Sequence, residues 1–203
     1  MNLWINSYML SFDKYYNSLI LEFNADDKKE FLTKIINTNT VEEAEELIAN
    51  HGYSYLYARD VLRGRFELGE KVISMLSIHS YYYARFVLKD RFEKGEKTIA
   101  NNAHYSYFYA RDVLHGRFEL GEKAISNDAE YSYFYARDVL KDKFLLGEPT
   151  IATSARYSYL YAYYVLKGRF EKGEKAIAKH YVYSDRYLEF LKSKNIPIPE
   201  IFK

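Results

Sequence analysis

The stretch Tyr105-Ser106-Tyr107-Phe108-Tyr109-Ala110-Arg111-Asp112-Val113-Leu114-His115-Gly116-Arg117-Phe118-Glu119-Leu120-Gly121-Glu122-Lys123-Ala124-Ile125 recurs, with few changes, 26 residues earlier and 26 residues later. Ala58, Ala84, Ala110, Ala136 and Ala162 occupy equivalent places, as do Gly69, Gly95, Gly121, Gly147 and Gly173. Five full copies start at Tyr53, His79, Tyr105, Tyr131 and Tyr157, and the register never slips. A unit this short cannot bury its own apolar faces, so copies must stack on one another. The pattern predicts an all-α fold, an α-solenoid of stacked short helical hairpins with a 26-residue period.

The first half of each unit reads as a helix. At about 100° per residue, Tyr53, Tyr57, Val61, Ser54, Ala58, Leu62 and Tyr55 cover an apolar arc of about 200°, which suits a helix with neighbours on both sides. Gly64 and its equivalents Asp90, Gly116, Asp142 and Gly168 are expected to close that helix in the left-handed conformation. A shorter second helix follows the Arg-Phe pair and ends near Ile73. It begins no earlier than Glu67 or Leu68, because Pro149 of the fourth copy is tolerated only in a first turn. The recurring Gly inside it costs about 1 kcal/mol of helix propensity, which points to close backbone approach between neighbouring units.

The organisation outward from the copies has three parts: an N-terminal helical cap over 1–52, tandem repeats over 53–182, and a C-terminal capping helix with a Pro-containing tail over 183–203. Asp27 to Gly52 is a degenerate copy, with Ile35, Ile36 and Leu47 falling one period before Val61, Leu62 and Ile73. Tyr183, Ser184, Tyr187 and Leu191 continue the first-helix pattern. Before Asp27, Trp4, Tyr8, Phe12, Tyr15, Tyr16 and Leu19 form one apolar face.

Composition removes several function classes. The 203 residues include 23 Tyr and 13 Phe but no Cys, which excludes disulfides, iron–sulfur clusters and thiol catalysis and fits a reducing compartment. No stretch reaches the roughly 20 apolar residues of a membrane span. Met1 to Asn24 lacks the basic start of a signal peptide and reads as a mature amphipathic helix, so the expectation is a cytoplasmic chain. The five His residues (His51, His79, His104, His115, His180) share no repeat position, which points away from a metal site. The glycines are single, with no phosphate loop. Identical groups repeated at one spacing suit a ladder better than a catalytic pocket, so no enzymatic activity and no cofactor are expected.

What remains is surface. The Arg-Asp pair of the first, third and fourth copies (Arg59-Asp60, Arg111-Asp112, Arg137-Asp138) lies on the remaining arc with one apolar residue per copy. The candidate partner-binding residues are therefore Leu56, Arg59, Tyr82, Arg85, Phe108, Arg111, Phe134, Arg137 and Leu160. They are either an inter-repeat charge ladder with a packed apolar residue, or an exposed apolar stripe flanked by Arg, as at protein interfaces. The series Arg65, Arg91, Arg117, Lys143 and Arg169 is expected to cap the first helix's carbonyls. Glu67 and Glu70 read as first-turn helix charges.

Charge ranks the partner classes. Residues 1–52 carry 4 basic and 9 acidic groups and residues 53–203 carry 25 and 19, so the ends differ in sign. Per copy the net charge runs +1, +2, −2, +1 and +3, and the −2 copy interrupts any basic stripe for phosphates. A protein partner is favoured over nucleic acid. The acidic start (Asp26, Asp27, Glu30, Glu42, Glu43, Glu45, Glu46) is either a solvated face or a contact for the basic end of a second copy, giving a head-to-tail homo-oligomer.

The run from Tyr109 to Ile125 and its cousins resembles tandem repeats in uncharacterised proteins of tailed bacteriophages. The resemblance covers about Tyr53 to Ile177. It implies a viral origin and stacked helical hairpins, and brings no catalytic residues with it. Tyr163 and Tyr164 depart from the Arg-Asp pair. Taken with the missing active site, it leads to the expectation of a phage protein that binds and inhibits a host protein, such as a defence component, with a virion or assembly component as the alternative.

Overall fold

The computed structural model describes residues 34–35 and 37–203. The apolar face from Trp4 to Leu19, the acidic Asp26, Asp27 and Glu30, and Ile36 lie outside the described residues. Every regular element among those described is helical. The chain forms two compact units, 1–73 and 74–203.

The second unit is an α-solenoid in which each copy repeats one helical hairpin. Each first helix starts as α and continues as π: Ser77–Tyr82 into Tyr83–Leu88, Ala103–Tyr109 into Ala110–Leu114, Ala129–Phe134 into Tyr135–Leu140, and Ala155–Leu160 into Tyr161–Leu166. Asn102, Asp128 and Ser154 cap three of these by accepting from the N–H of Tyr105, Tyr131 and Tyr157, each worth about 1 kcal/mol. The second helices are Glu93–Ile99, Glu122–Ser126, Glu148–Ile151 and Glu171–Ala178. Pro149 sits in a first turn, as its missing N–H requires.

The first helix closes differently from the expectation. The left-handed residue is Lys89, His115, Lys141 and Lys167, one place before the expected Asp or Gly, and no Gly has positive φ. The π turn explains the shift. It lets the buried Ala carbonyl gather two N–H groups, for example those of His115 and Gly116 on Ala110. A non-glycine there costs about 1–2 kcal/mol, and a basic side chain at a helix C-terminus offsets part of that.

The recurring Gly has a different neighbour from the one expected. A Cβ on Gly121 would stand 2.6 Å from Ser106 Oγ and 2.6 Å from Phe118 Cδ1. The close approach is thus between the two helices of one copy, not between copies. The serine is fully buried, and its hydroxyl crosses the junction: Ser106 Oγ donates to Ile99 O at 2.9 Å and Ser132 Oγ to Ile125 O at 2.8 Å.

The core is written by the third Tyr of each copy. Tyr109, Tyr135, Tyr161 and Tyr187 are 0% exposed. Each hydroxyl donates to a Glu of the preceding copy (Glu96, Glu122, Glu148, Glu174) at 2.9–3.2 Å. Each also accepts the N–H of a Phe (Phe92, Phe118, Phe144, Phe170) at 2.9–3.1 Å. In Tyr109, Tyr135 and Tyr161 the ring meets its own copy's Phe edge-on, worth about 0.5–1.5 kcal/mol beyond area.

The buried Glu is not a free first-turn charge. Arg91, Arg117 and Arg169 grip Glu96, Glu122 and Glu174 with two nitrogens each at 2.6–2.9 Å. This replaces the expected capping role of that Arg series, because an unpaired buried carboxylate costs more than uncapped, solvated carbonyls. In the fourth copy Lys143 stands in the Arg place, and Lys172 of the next copy supplies the charge, Nζ to Glu148 Oε2 at 2.6 Å. The stack ends on Tyr181–Ser193, an uninterrupted α-helix, with Phe202 of the tail 5.6 Å from the Tyr187 ring.

The first unit holds the helix Val41–Ala49, capped by Thr40, and then the first copy. That copy runs through Ser54–Leu56, the π-helix Tyr57–Leu62, Glu67–Gly69 and Glu70–Ile73. Arg65 pairs with the buried Glu70 at 2.7 Å. Tyr57 donates to Glu45 at 2.8 Å and Ser54 Oγ to Ile48 O at 2.8 Å. The degenerate copy is therefore one residue out of the expected register: buried Ile48, not exposed Leu47, takes the place of Ile73.

Candidate functional site

The second Tyr of each copy and the Arg-Asp pair build a ladder along one face of the second unit. The first helix carries both, four residues apart, so the Arg guanidinium lies back over its own copy's aromatic rings. Arg111 donates to Tyr107 at 3.1 Å and Arg137 to Tyr133 at 3.1 Å, and Arg85 donates to Tyr81. Arg111 and Arg137 also grip the adjacent Asp, Arg111 Nε to Asp112 at 2.6 Å and Arg137 Nε to Asp138 at 2.5 Å. The rungs between copies are tyrosines. Tyr81 donates to Asp112 at 2.7 Å and Tyr107 to Asp138 at 2.8 Å, each across 31 residues. Arg85 reaches Asp112 at 2.5 Å as well.

The electrostatics follow from those contacts. Burial alone would raise the Asp112 and Asp138 carboxyls. The hydrogen bonds from Arg111 and Tyr81, or from Arg137 and Tyr107, outweigh it and hold both below the ordinary value. Tyr107 is pushed up to about 12, chiefly by burial and then by its bond to Asp138. The hydrogen bonds to Asp112 and Asp138 raise Arg111 and Arg137 further above their ordinary range, against desolvation. The ladder stays ionic and hydrogen-bonded across ordinary pH.

The candidate residues fall into three groups. Tyr82, Phe108, Phe134 and Leu160 are half-buried. Phe134 stacks on Tyr107 at 5.8 Å and Phe108 lies 6.1 Å from Tyr81, so each ring fills the junction while showing one side to solvent. Arg85, Arg111 and Arg137 lie over Phe86, Phe108 and Phe134 at 5.0, 4.5 and 4.9 Å. In the first unit Leu56 is buried, and Arg59 pairs with Asp60 at 2.6 Å and lies over the Tyr55 ring.

Sequence reasoning missed the tyrosine rungs and the exposed aromatics at the ends of this face. Phe86 replaces Asp in the second copy and is 49% exposed; Tyr163 and Tyr164 replace Arg-Asp in the fifth and are 43% and 54% exposed. The signal was a Tyr and an Asp one period plus five residues apart, invisible when each copy is read alone.

Other polar groups are committed elsewhere. His104 Nδ1 meets Tyr131 Oη at 2.6 Å inside an aromatic cluster, and burial lowers its pKa. Among the described residues no group of three or more His, Asp and Glu is placed to hold a metal ion. A depression of about 530 Å³ is bordered by Asn102 and Asp128, both already occupied as helix caps.

The fold places the chain among α-helical repeat proteins. No protein-family model, curated protein or solved structure matches it.

Proposed function

We propose that this protein is a non-catalytic helical-repeat scaffold that binds a protein partner through the ladder face. The observation that carries this reading is the run of Arg guanidinium groups over Phe rings in three consecutive copies, Arg85–Phe86, Arg111–Phe108 and Arg137–Phe134. Arg and large aromatics held rigid beside solvent are the composition of interface hot spots, and their entropy is already lost on folding. The resemblance of Tyr53 to Ile177 to phage repeats supports a host protein as the partner and its inhibition, in the host cytoplasm, as the outcome.

The test is capture from nuclease-treated bacterial lysate by the wild type and by Phe108→Ala/Phe134→Ala. A partner that survives nuclease and is lost at least tenfold in the variant, with an unchanged melting transition, supports the reading. Both rings also fill junctions, so Phe86→Ala serves as a second, surface variant. Recovery of nucleic acid alone, or of a partner indifferent to both variants, overturns it.

A further inference from the structure

The ladder carries its own template for a ligand. At the second-to-third and third-to-fourth copy junctions, one carboxylate, Asp112 or Asp138, receives the preceding copy's Tyr hydroxyl. At the next junction the donors are present but the acceptor is not. Tyr133 is 1% exposed and accepts from Arg137, yet the place that holds Asp in the two earlier junctions is Tyr164. Among the described residues its hydroxyl proton meets no acceptor. Beside it stand exposed rings: Tyr163 and Tyr164 meet edge-on at 4.8 Å, and Tyr163 packs on Phe190 at 5.0 Å.

Packing on Tyr159 and Phe190 accounts for Tyr163; Tyr164 meets no ring but Tyr163 among the described residues. The buried places of the fifth copy (Ser158, Tyr161, Ala162, Phe170, Gly173, Glu174, Ile177) keep the residues of the third copy, while Tyr163 and Tyr164 stand where the third copy has the half-buried Arg111 and Asp112. The chemistry left at the junction is a buried hydroxyl donor, a guanidinium that already serves carboxylates, and an apolar shelf. That combination complements a carboxylate with an apolar neighbour.

We propose that the Tyr133–Arg137 junction is a seat for an Asp or Glu side chain of the protein partner, whose flanking apolar residue packs on Tyr163 and Tyr164. Tyr164, the most exposed group there, turns aside as the carboxylate enters. The proposal rests on the protein-binding reading of the same face and names the chemistry that it recognises.

The probe is a random-peptide display library, blocked at both termini so that only side chains offer carboxylates, selected on the full chain. The expected binders share an Asp or Glu beside an aromatic or aliphatic residue. Changing that acid to its amide should weaken binding at least tenfold. Tyr164→Asp should do the same while preserving the melting transition, because the chain then supplies its own acceptor. Tyr163→Arg/Tyr164→Asp, which restores the whole pair, is the second variant. Enriched peptides without an acid, or acidic ones that bind Tyr164→Asp equally well, overturn the seat. If such peptides are still lost on Phe108→Ala/Phe134→Ala or Phe86→Ala, the scaffold reading survives without it. Enrichment of no sequence removes both.

Discussion

The Tyr135 hydroxyl is bonded twice in a fully buried place, donating to Glu122 at 3.1 Å and accepting from Phe118 N at 2.9 Å. One oxygen thus joins the second helix and the turn of one copy to the first helix of the next.

Tyr135→Phe should therefore cost far more than a surface hydroxyl. It leaves the buried Phe118 N–H without an acceptor and removes a donor from Glu122, at about 1–3 kcal/mol. Urea unfolding measures this against Tyr181→Phe, whose residue is 79% exposed. Equal midpoints for the two would refute the junction role.

Two glycines five residues apart should respond oppositely to a methyl group. Gly121→Ala drives a Cβ against Ser106 and Phe118 and should destabilise by about 1–3 kcal/mol. Gly116→Ala meets nothing closer than 3.7 Å at ordinary φ and should be neutral or gain about 0.4–1 kcal/mol. Thermal melts of both variants decide it. A tolerated Gly121→Ala would show that the hairpin can open.

The fourth copy predicts a coupled pair. Lys172→Ala leaves the Glu148 carboxylate without its cation and should cost about 1–3 kcal/mol. Lys143→Arg rebuilds the grip that the other copies use and should recover at least half of that loss. A double-mutant cycle reads the coupling. Additive effects would mean that the two bases do not share Glu148.

Acid should melt the ladder selectively. Asp112 and Asp138 titrate below their ordinary 3.8 in the folded chain. A depressed folded value contributes stability that is present above the ordinary value and lost as pH falls through the lower one. Asp112→Asn/Asp138→Asn should therefore be less stable near neutrality and converge with the wild type in acid. Denaturant midpoints across an acid series check this, and a constant gap would contradict it.

The stack was legible because burial repeats: Ala110, Phe118, Gly121 and Ile125 recur wherever packing leaves no choice. The hydroxyl partners were not legible, because Tyr135 and Glu122 belong to different copies and neither residue announces the other. The π turn was hidden for another reason. A wheel drawn at 100° assumes i→i+4 bonds, and after Tyr109 the chain makes wider ones, which moves Arg111 and Asp112 off their calculated angle. The ladder residues themselves were found, but not the tyrosines that join them. The aromatic exchange at Tyr163 and Tyr164 was visible as a departure, and its meaning needed the geometry of Asp112 and Asp138.

Lys172 reaching back to Glu148 gives the array a grammar. Most junctions are interchangeable, so whole 26-residue copies could be duplicated or deleted there without creating an unpaired buried charge. The fourth copy is the exception. It can be followed only by a copy with Lys at that place, as in Lys94 or Lys172, and not by one with Leu, as in Leu68, Leu120 or Leu146. One Arg-to-Lys exchange has turned a free order of modules into a fixed one.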